Sequence, residues 1–82
     1  MYLENRIKRL KYRSWHRGCK ETDIILGQFS EHGLAMLAPQ QLDAYEKLLE
    51  EDDVHIWDWV IGKPAPAEYE ELLTAIREFD KK

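Results

Sequence analysis

Arg17-Gly18-Cys19-Lys20-Glu21 sets a guanidinium, a glycine and a carboxylate within one short stretch. A planar guanidinium pairs well with carboxylates or backbone carbonyls. A glycine lets another backbone approach closely. Together with Glu21 they could form a docking surface. The same residues also suit a helix boundary, with Gly18 as a C-cap, Arg17 as partner of a helix C-terminus and Glu21 as a first-turn carboxylate. Spacing alone leaves both readings open. The motif sits at a charge junction. Residues 1–20 hold seven Lys/Arg and one Glu, whereas residues 21–82 hold five Lys/Arg and fifteen Asp/Glu.

Other chemistry is less well supplied. His16 and Cys19 are three residues apart, but His32 and His55 stand alone. A structural zinc site needs four ligands, usually as two short pairs, so no metal site is expected. Cys19 lies beside Lys20 near a helix start, which would lower a thiol pKa. A nucleophile also needs a placed base and an oxyanion site, and no catalytic residue is assigned. The basic first helix superficially suits nucleic acid. The following helix, however, opens with Glu21 and Asp23 and carries no Lys or Arg after Lys20, unlike a basic recognition helix. Protein docking fits best: Arg and Trp dominate interface hot spots, and Trp15, Trp57 and Trp59 are many for this length. Trp59 is read as core.

A chain of 82 residues makes one domain, expected over 1–82, with a small core and a margin of a few kcal/mol. It has little room for an enclosed active site, and the chain is read as a non-enzyme. No apolar run reaches membrane-spanning length. The charged start lacks the apolar segment of a signal peptide. One cysteine excludes an internal disulfide and suits a reducing compartment.

Helical periodicity runs throughout, so the expected fold is all-α, a small bundle of about five short helices. Leu3, Ile7 and Leu10 give the first stripe, with Arg6, Lys8, Arg9, Lys11 and Arg13 on the other faces. Gly18 marks a turn. Thr22, Ile25, Leu26 and Phe29 give the second stripe, with Gly33 as C-cap. Leu34 to Leu37 form a connector. Pro39 opens a third helix at its first position, with Leu42, Tyr45, Leu48 and Leu49 inward. The acidic run Glu50 to Asp53 leads to a fourth helix, Val54 to Ile61. Ile56, Trp59 and Val60 share one of its faces, and Trp57 and Ile61 another. Apolar residues around most of a helix call for burial or a partner. Pro66 opens the fifth helix, with Tyr69, Leu72, Leu73, Ile76 and Phe79 inward.

Read in full, Arg9-Leu10-Lys11-Tyr12-Arg13-Ser14-Trp15-His16-Arg17-Gly18-Cys19-Lys20-Glu21 resembles the signature of the succinate dehydrogenase FAD assembly factors. These are called SdhE in bacteria and flavinylation factors in mitochondria. Leu42 to Asp53 is similar to the family's third-helix segment, which ends in Leu-Leu-Glu and an acidic pair. Trp57-Asp58-Trp59 is similar to its aromatic fourth helix, and Gly62-Lys63-Pro64-Ala65-Pro66 to its link. Ala38 departs from the Ser or Thr that often caps the third helix, a difference of about 1 kcal/mol.

The resemblance implies an assembly chaperone that binds the flavoprotein subunit of succinate dehydrogenase, or that of fumarate reductase. It promotes covalent attachment of FAD to a histidine of that client. FAD is then carried by the client, and the chain holds no stable cofactor. The motif residues carry over to Arg17, Gly18 and Glu21. Arg17 is expected to pair with a client carboxylate or carbonyls, and Gly18 to admit the client backbone. Glu21 either fixes Arg17 or touches the client near the flavin. Arg9, Lys11, Arg13 and His16 complete the client-binding set, with Arg9, Lys11 and Arg13 steering the encounter and Trp57 and Asp58 as aromatic-helix contacts. A monomer is expected, with no nucleic acid and no membrane insertion, in the bacterial cytoplasm or, for a eukaryotic chain, the mitochondrial matrix. The alternatives are an antitoxin-like or regulatory protein-binding module and a nucleic-acid-binding helical domain.

Overall fold

The apolar stripes form five α-helices in a computed structural model that describes residues 2–80. Residues 1, 81 and 82 of the expected domain lie outside the described residues. The helices are α1 (Tyr2–Trp15), α2 (Lys20–His32), α3 (Pro39–Leu48), α4 (Asp53–Val60) and α5 (Ala67–Asp80). A single 3-10 turn, Leu34–Met36, joins α2 to α3. There is no strand among the described residues. The short connections let each helix turn back on its neighbour.

Leu10, Leu26, Phe29, Leu34, Leu42, Leu48, Ile56, Leu72, Leu73 and Ile76 come from every element and form one buried core. Such burial is the main term that opposes chain entropy in a domain this small. One polar junction crosses it. The Ser14 hydroxyl donates to the Leu10 carbonyl at 2.7 Å, and the Tyr45 hydroxyl lies 2.6 Å from Ser14 Oγ and 3.3 Å from the Leu26 carbonyl. It ties α1, α2 and α3 together without leaving a buried polar atom unpaired. Burial pushes the Tyr45 phenol above its usual range, although the Ser14 bond and Arg17 oppose this.

Some details differ from expectation. Leu3, placed on the inward stripe of α1, is 53% exposed; the core begins a turn later. Gly33 is the C-cap of α2 as expected, but at φ −78°, a right-handed conformation open to any residue. It is small for another reason, because a Cβ there would meet the Phe29 ring. The connector after it is a 3-10 turn that buries Leu34 and leaves Met36 exposed. The fourth and fifth helices each start one residue from the expected position, at Asp53 and Ala67.

α1 crosses α2 closely because Gly27 offers no side chain. The Trp15 indole occupies the space a Cβ would take, and its Nε1 donates to Glu31 Oε2 at 2.9 Å. That bond, with Lys11 nearby, holds the Glu31 carboxyl below its usual range. Arg6 reaches α3, at 2.6 Å from Asp43 and 3.0 Å from Glu46, and Arg13 lies 2.5 Å from Glu50. Much of the charge asymmetry along the chain is thus resolved inside the bundle, basic helix against acidic helix.

Candidate functional site

The turn between α1 and α2 begins where Trp15 docks on Gly27. Gly18 then takes φ +95°, a region that side-chain-bearing residues rarely adopt. Nothing lies within 4 Å of where its Cβ would stand. The glycine is therefore required by the backbone, and its open side faces away from the bundle. α2 starts at once: the Asp23 amide donates to the Cys19 carbonyl at 2.8 Å, while Cys19 provides no side-chain cap.

Two carboxylates fix this turn. Asp23 Oδ1 accepts the Arg17 backbone amide at 2.8 Å, bridging the turn to the first turn of α2. Asp53, in the first turn of α4, accepts Arg17 Nε at 2.6 Å and Thr22 Oγ1 at 3.0 Å on the same oxygen. The other two guanidinium nitrogens donate to the carbonyls of Leu49 and Glu51, each at 2.7 Å. A helix leaves its last carbonyls without partners and its C-terminal end partly negative. Arg17 satisfies carbonyls just past the end of α3 and pairs with the start of α4 in one step. Its side chain is 11% exposed and that of Asp53 24%.

Within the chain the Arg17 guanidinium is engaged at all three nitrogens and acts as an internal clamp. Glu21 does not fix Arg17. Glu21 is exposed, and its carboxylate accepts only a long contact from Cys19 Sγ, at 3.4 Å. Its carboxylate is left on the outer side of the turn. Arg17, Gly18 and Glu21 are brought together in one turn, with Gly18 and Glu21 outward and Arg17 inward.

The flanking residues divide similarly. His16 is exposed and stacks on Tyr12 with ring centroids 4.1 Å apart; its Nδ1 lies 2.7 Å from the Tyr12 carbonyl. Arg9, Lys8 and Lys20 are exposed and form no ion pair among the described residues. Lys11 pairs with Glu31 at 3.6 Å and Arg13 with Glu50, so these two cations contribute less to an outward field than expected. Trp57 and Asp58 are half-buried on α4, with Asp58 3.5 Å from Lys63. The second face of α4 does point outward: Val54 is 69% and Ile61 55% exposed, one turn either side of Trp57. Trp59, read as core, is half-buried against Tyr69. Its own end of α4 is held by Arg77, which donates to the carbonyls of Trp59 and Val60 at 2.7 and 3.0 Å.

Asp53, Asp23 and Thr22 are the site residues that sequence reasoning missed. In the sequence Asp53 belongs to an acidic run, Asp23 to the opening of the second helix and Thr22 to its apolar stripe. The usable signal was the acidic pair at Asp52-Asp53, placed at the end of the third-helix segment but not linked to Arg17. No group of three or more His, Cys, Asp or Glu side chains suited to a metal comes together among the described residues.

A family model described as flavinator of succinate dehydrogenase matches residues 8–80. The FAD assembly factor SdhE of Acetobacter pasteurianus is 40% identical over 67 residues, covering 80% of this chain and 62% of that protein. The mitochondrial succinate dehydrogenase assembly factor 2 of Kluyveromyces lactis is 34% identical over 85 residues, covering 96% of this chain and 52% of the relative. Its counterpart in Dictyostelium discoideum is 36% identical over 69 residues, with 83% and 49% covered. The chain thus spans about half to three-fifths of the length of these relatives.

Proposed function

The chain belongs to the family of flavinators of succinate dehydrogenase, and from that premise we propose that it binds the flavoprotein subunit of succinate dehydrogenase and promotes covalent attachment of FAD to a histidine of that subunit. By name the family is one of assembly factors, not of enzymes. The observation that carries the proposal is the turn at Gly18: a left-handed glycine with open space on its outer side, next to the exposed carboxylate of Glu21.

The bond forms between the flavin and the client's own histidine, so this chain performs no covalent step. Its contribution is placement. Holding the client so that the histidine meets the flavin methyl carbon removes orientational freedom from the reaction, an effect worth several kcal/mol. Gly18 admits the client backbone, and Glu21 meets a donor group on it. Arg9 and His16 flank the contact, and Trp57 with Asp58 extends it along α4. Lys11 and Arg13 act more weakly, through charge already shared with Glu31 and Glu50. FAD stays with the client. One copy of the chain suffices, because all these residues lie in one molecule. It works in the bacterial cytoplasm, or in the mitochondrial matrix of a eukaryote; no helix among the described residues is long and apolar enough to cross a membrane.

In-gel flavin fluorescence of the client subunit, expressed with and without this chain, tests the proposal. Covalent flavin should rise several-fold with the chain present. Equal fluorescence in both samples refutes the reading. The same assay on the fumarate reductase subunit decides whether it is also a client.

A further inference from the structure

We propose that Arg17 and Asp53 form a single positioning unit that sets the shape of the Gly18–Glu21 turn for the partner, while neither side chain contacts the partner; this rests on the docking role proposed above. The geometry has three parts. All three nitrogens of the Arg17 guanidinium have acceptors inside the chain: Asp53 Oδ1, the Leu49 carbonyl and the Glu51 carbonyl. The one oxygen of Asp53 that takes Arg17 also takes the Thr22 hydroxyl. The chain is therefore gripped on both sides of Gly18, at residue 17 and at residue 22. The groups free to meet a partner are the backbone around Gly18 and the Glu21 carboxylate, and these are the parts the clamp does not use.

Such a clamp is needed because glycine has more accessible conformations than any other residue. Left alone, the turn would sample several, and only one presents Gly18 and Glu21 together. When a fraction f of molecules is competent, the apparent dissociation constant rises as 1/f. Losing the clamp should weaken binding through that fraction while leaving the rate in the assembled complex intact. Asp53 thus becomes a positioning residue, although it lies outside the five-residue motif and 36 positions from Arg17.

The test measures two numbers: the concentration of this chain that gives half-maximal client flavinylation, and the rate at saturation. Asp53→Ala and Arg17→Ala should each raise the first by about tenfold with the second unchanged, and the double variant should be no worse than either single one, as expected of residues acting as a unit. Asp53→Asn keeps an oxygen acceptor and should recover most of the loss. Arg17→Lys cannot reach three acceptors at once and should not. Amide exchange at Arg17, whose backbone N–H donates to Asp23 Oδ1 at 2.8 Å, measured without any client, should speed up in Asp53→Ala and return toward the parent rate in Asp53→Asn. Circular dichroism confirms that each variant is folded. If Arg17→Ala costs far more than Asp53→Ala and the two add, Arg17 reads the client directly and the proposal fails. Unchanged half-saturation in a folded Asp53→Ala also overturns it, even with a lowered Tm. If the parent chain itself gives no flavinylation, the docking role is lost, and exchange at the Arg17 amide then decides whether the clamp orders the turn.

Discussion

At Gly27 the Trp15 indole lies where a Cβ would stand, whereas nothing comes within 4 Å of that position at Gly18. Both glycines sit beside the α1–α2 hairpin. At Gly27 the chain itself fills the space, and the result is a close helix crossing. At Gly18 the left-handed backbone demands glycine, and the outer side stays open. The difference separates architecture from docking: a side chain added at the first collides with the protein, and one added at the second would collide with something else.

The largest expected effect breaks or keeps this distinction outright. Gly18→Arg should reduce client flavinylation to background while the bundle stays folded, since a non-glycine residue in a left-handed conformation costs only about 1–2 kcal/mol. An unfolded Gly18→Arg would show that the turn is architecture after all. Next comes Gly27→Ala, which must displace the indole. Overpacking of this kind costs about 1–3 kcal/mol, read as a lower denaturation midpoint, with flavinylation per folded molecule unchanged. A Gly27→Ala chain of parental stability would mean that the crossing has slack the geometry does not suggest. A smaller effect sharpens the docking side. Glu21→Gln should weaken flavinylation several-fold and change stability by no more than about 0.5 kcal/mol, as surface substitutions usually do. Full activity in that variant would leave Glu21 as a helix-terminus charge only.

The smallest effect is a titration that compares the two regions. Tyr45 sits at the α1–α2–α3 junction; Tyr69 donates to Glu51, in the corner held by Arg17. Burial raises both phenols, and with the help of Glu51 that of Tyr69 is pushed up to about 12. The unfolded chain releases these protons near pH 10. The folded state therefore holds more protons above that pH. The stabilisation is complete below about pH 10 and is lost as pH rises toward the folded values. Denaturant midpoints measured across that range should fall, and Tyr45→Phe or Tyr69→Phe should each flatten the slope. An unchanged slope in both variants would mean that neither phenol is shifted as burial implies.

The helices were legible because each stripe repeats a local rule: Leu42, Tyr45, Leu48 and Leu49 are spaced for one helix face and all are buried. Gly18 was legible as a turn for the same reason. What could not be read depends on distance. The Asp53 partner of Arg17 lies 36 residues away, and no periodicity joins them. Glu21, four positions away, is the nearer carboxylate and the natural candidate from sequence. Gly27 gave no signal, because its reason is the ring of Trp15, twelve positions earlier. Gly33 was legible as the cap of α2, but not its reason: it takes no left-handed conformation and makes room for Phe29. Basic side chains on α1 suggested a surface for steering. Arg6 is instead used on α3 and Arg13 on Glu50 just beyond its end, a choice that only the packing of one helix on another reveals.

α4 is eight residues long, and an arginine from elsewhere holds each end: Arg17 at Asp53, and Arg77 at the carbonyls of Trp59 and Val60. Helices this short do not persist by themselves in water. The clamp on the turn consequently exists only once α1, α3, α4 and α5 have all reached their places. In the docking role proposed above, a copy still folding would not yet present the ordered turn. Completion of folding would itself act as the licence to bind.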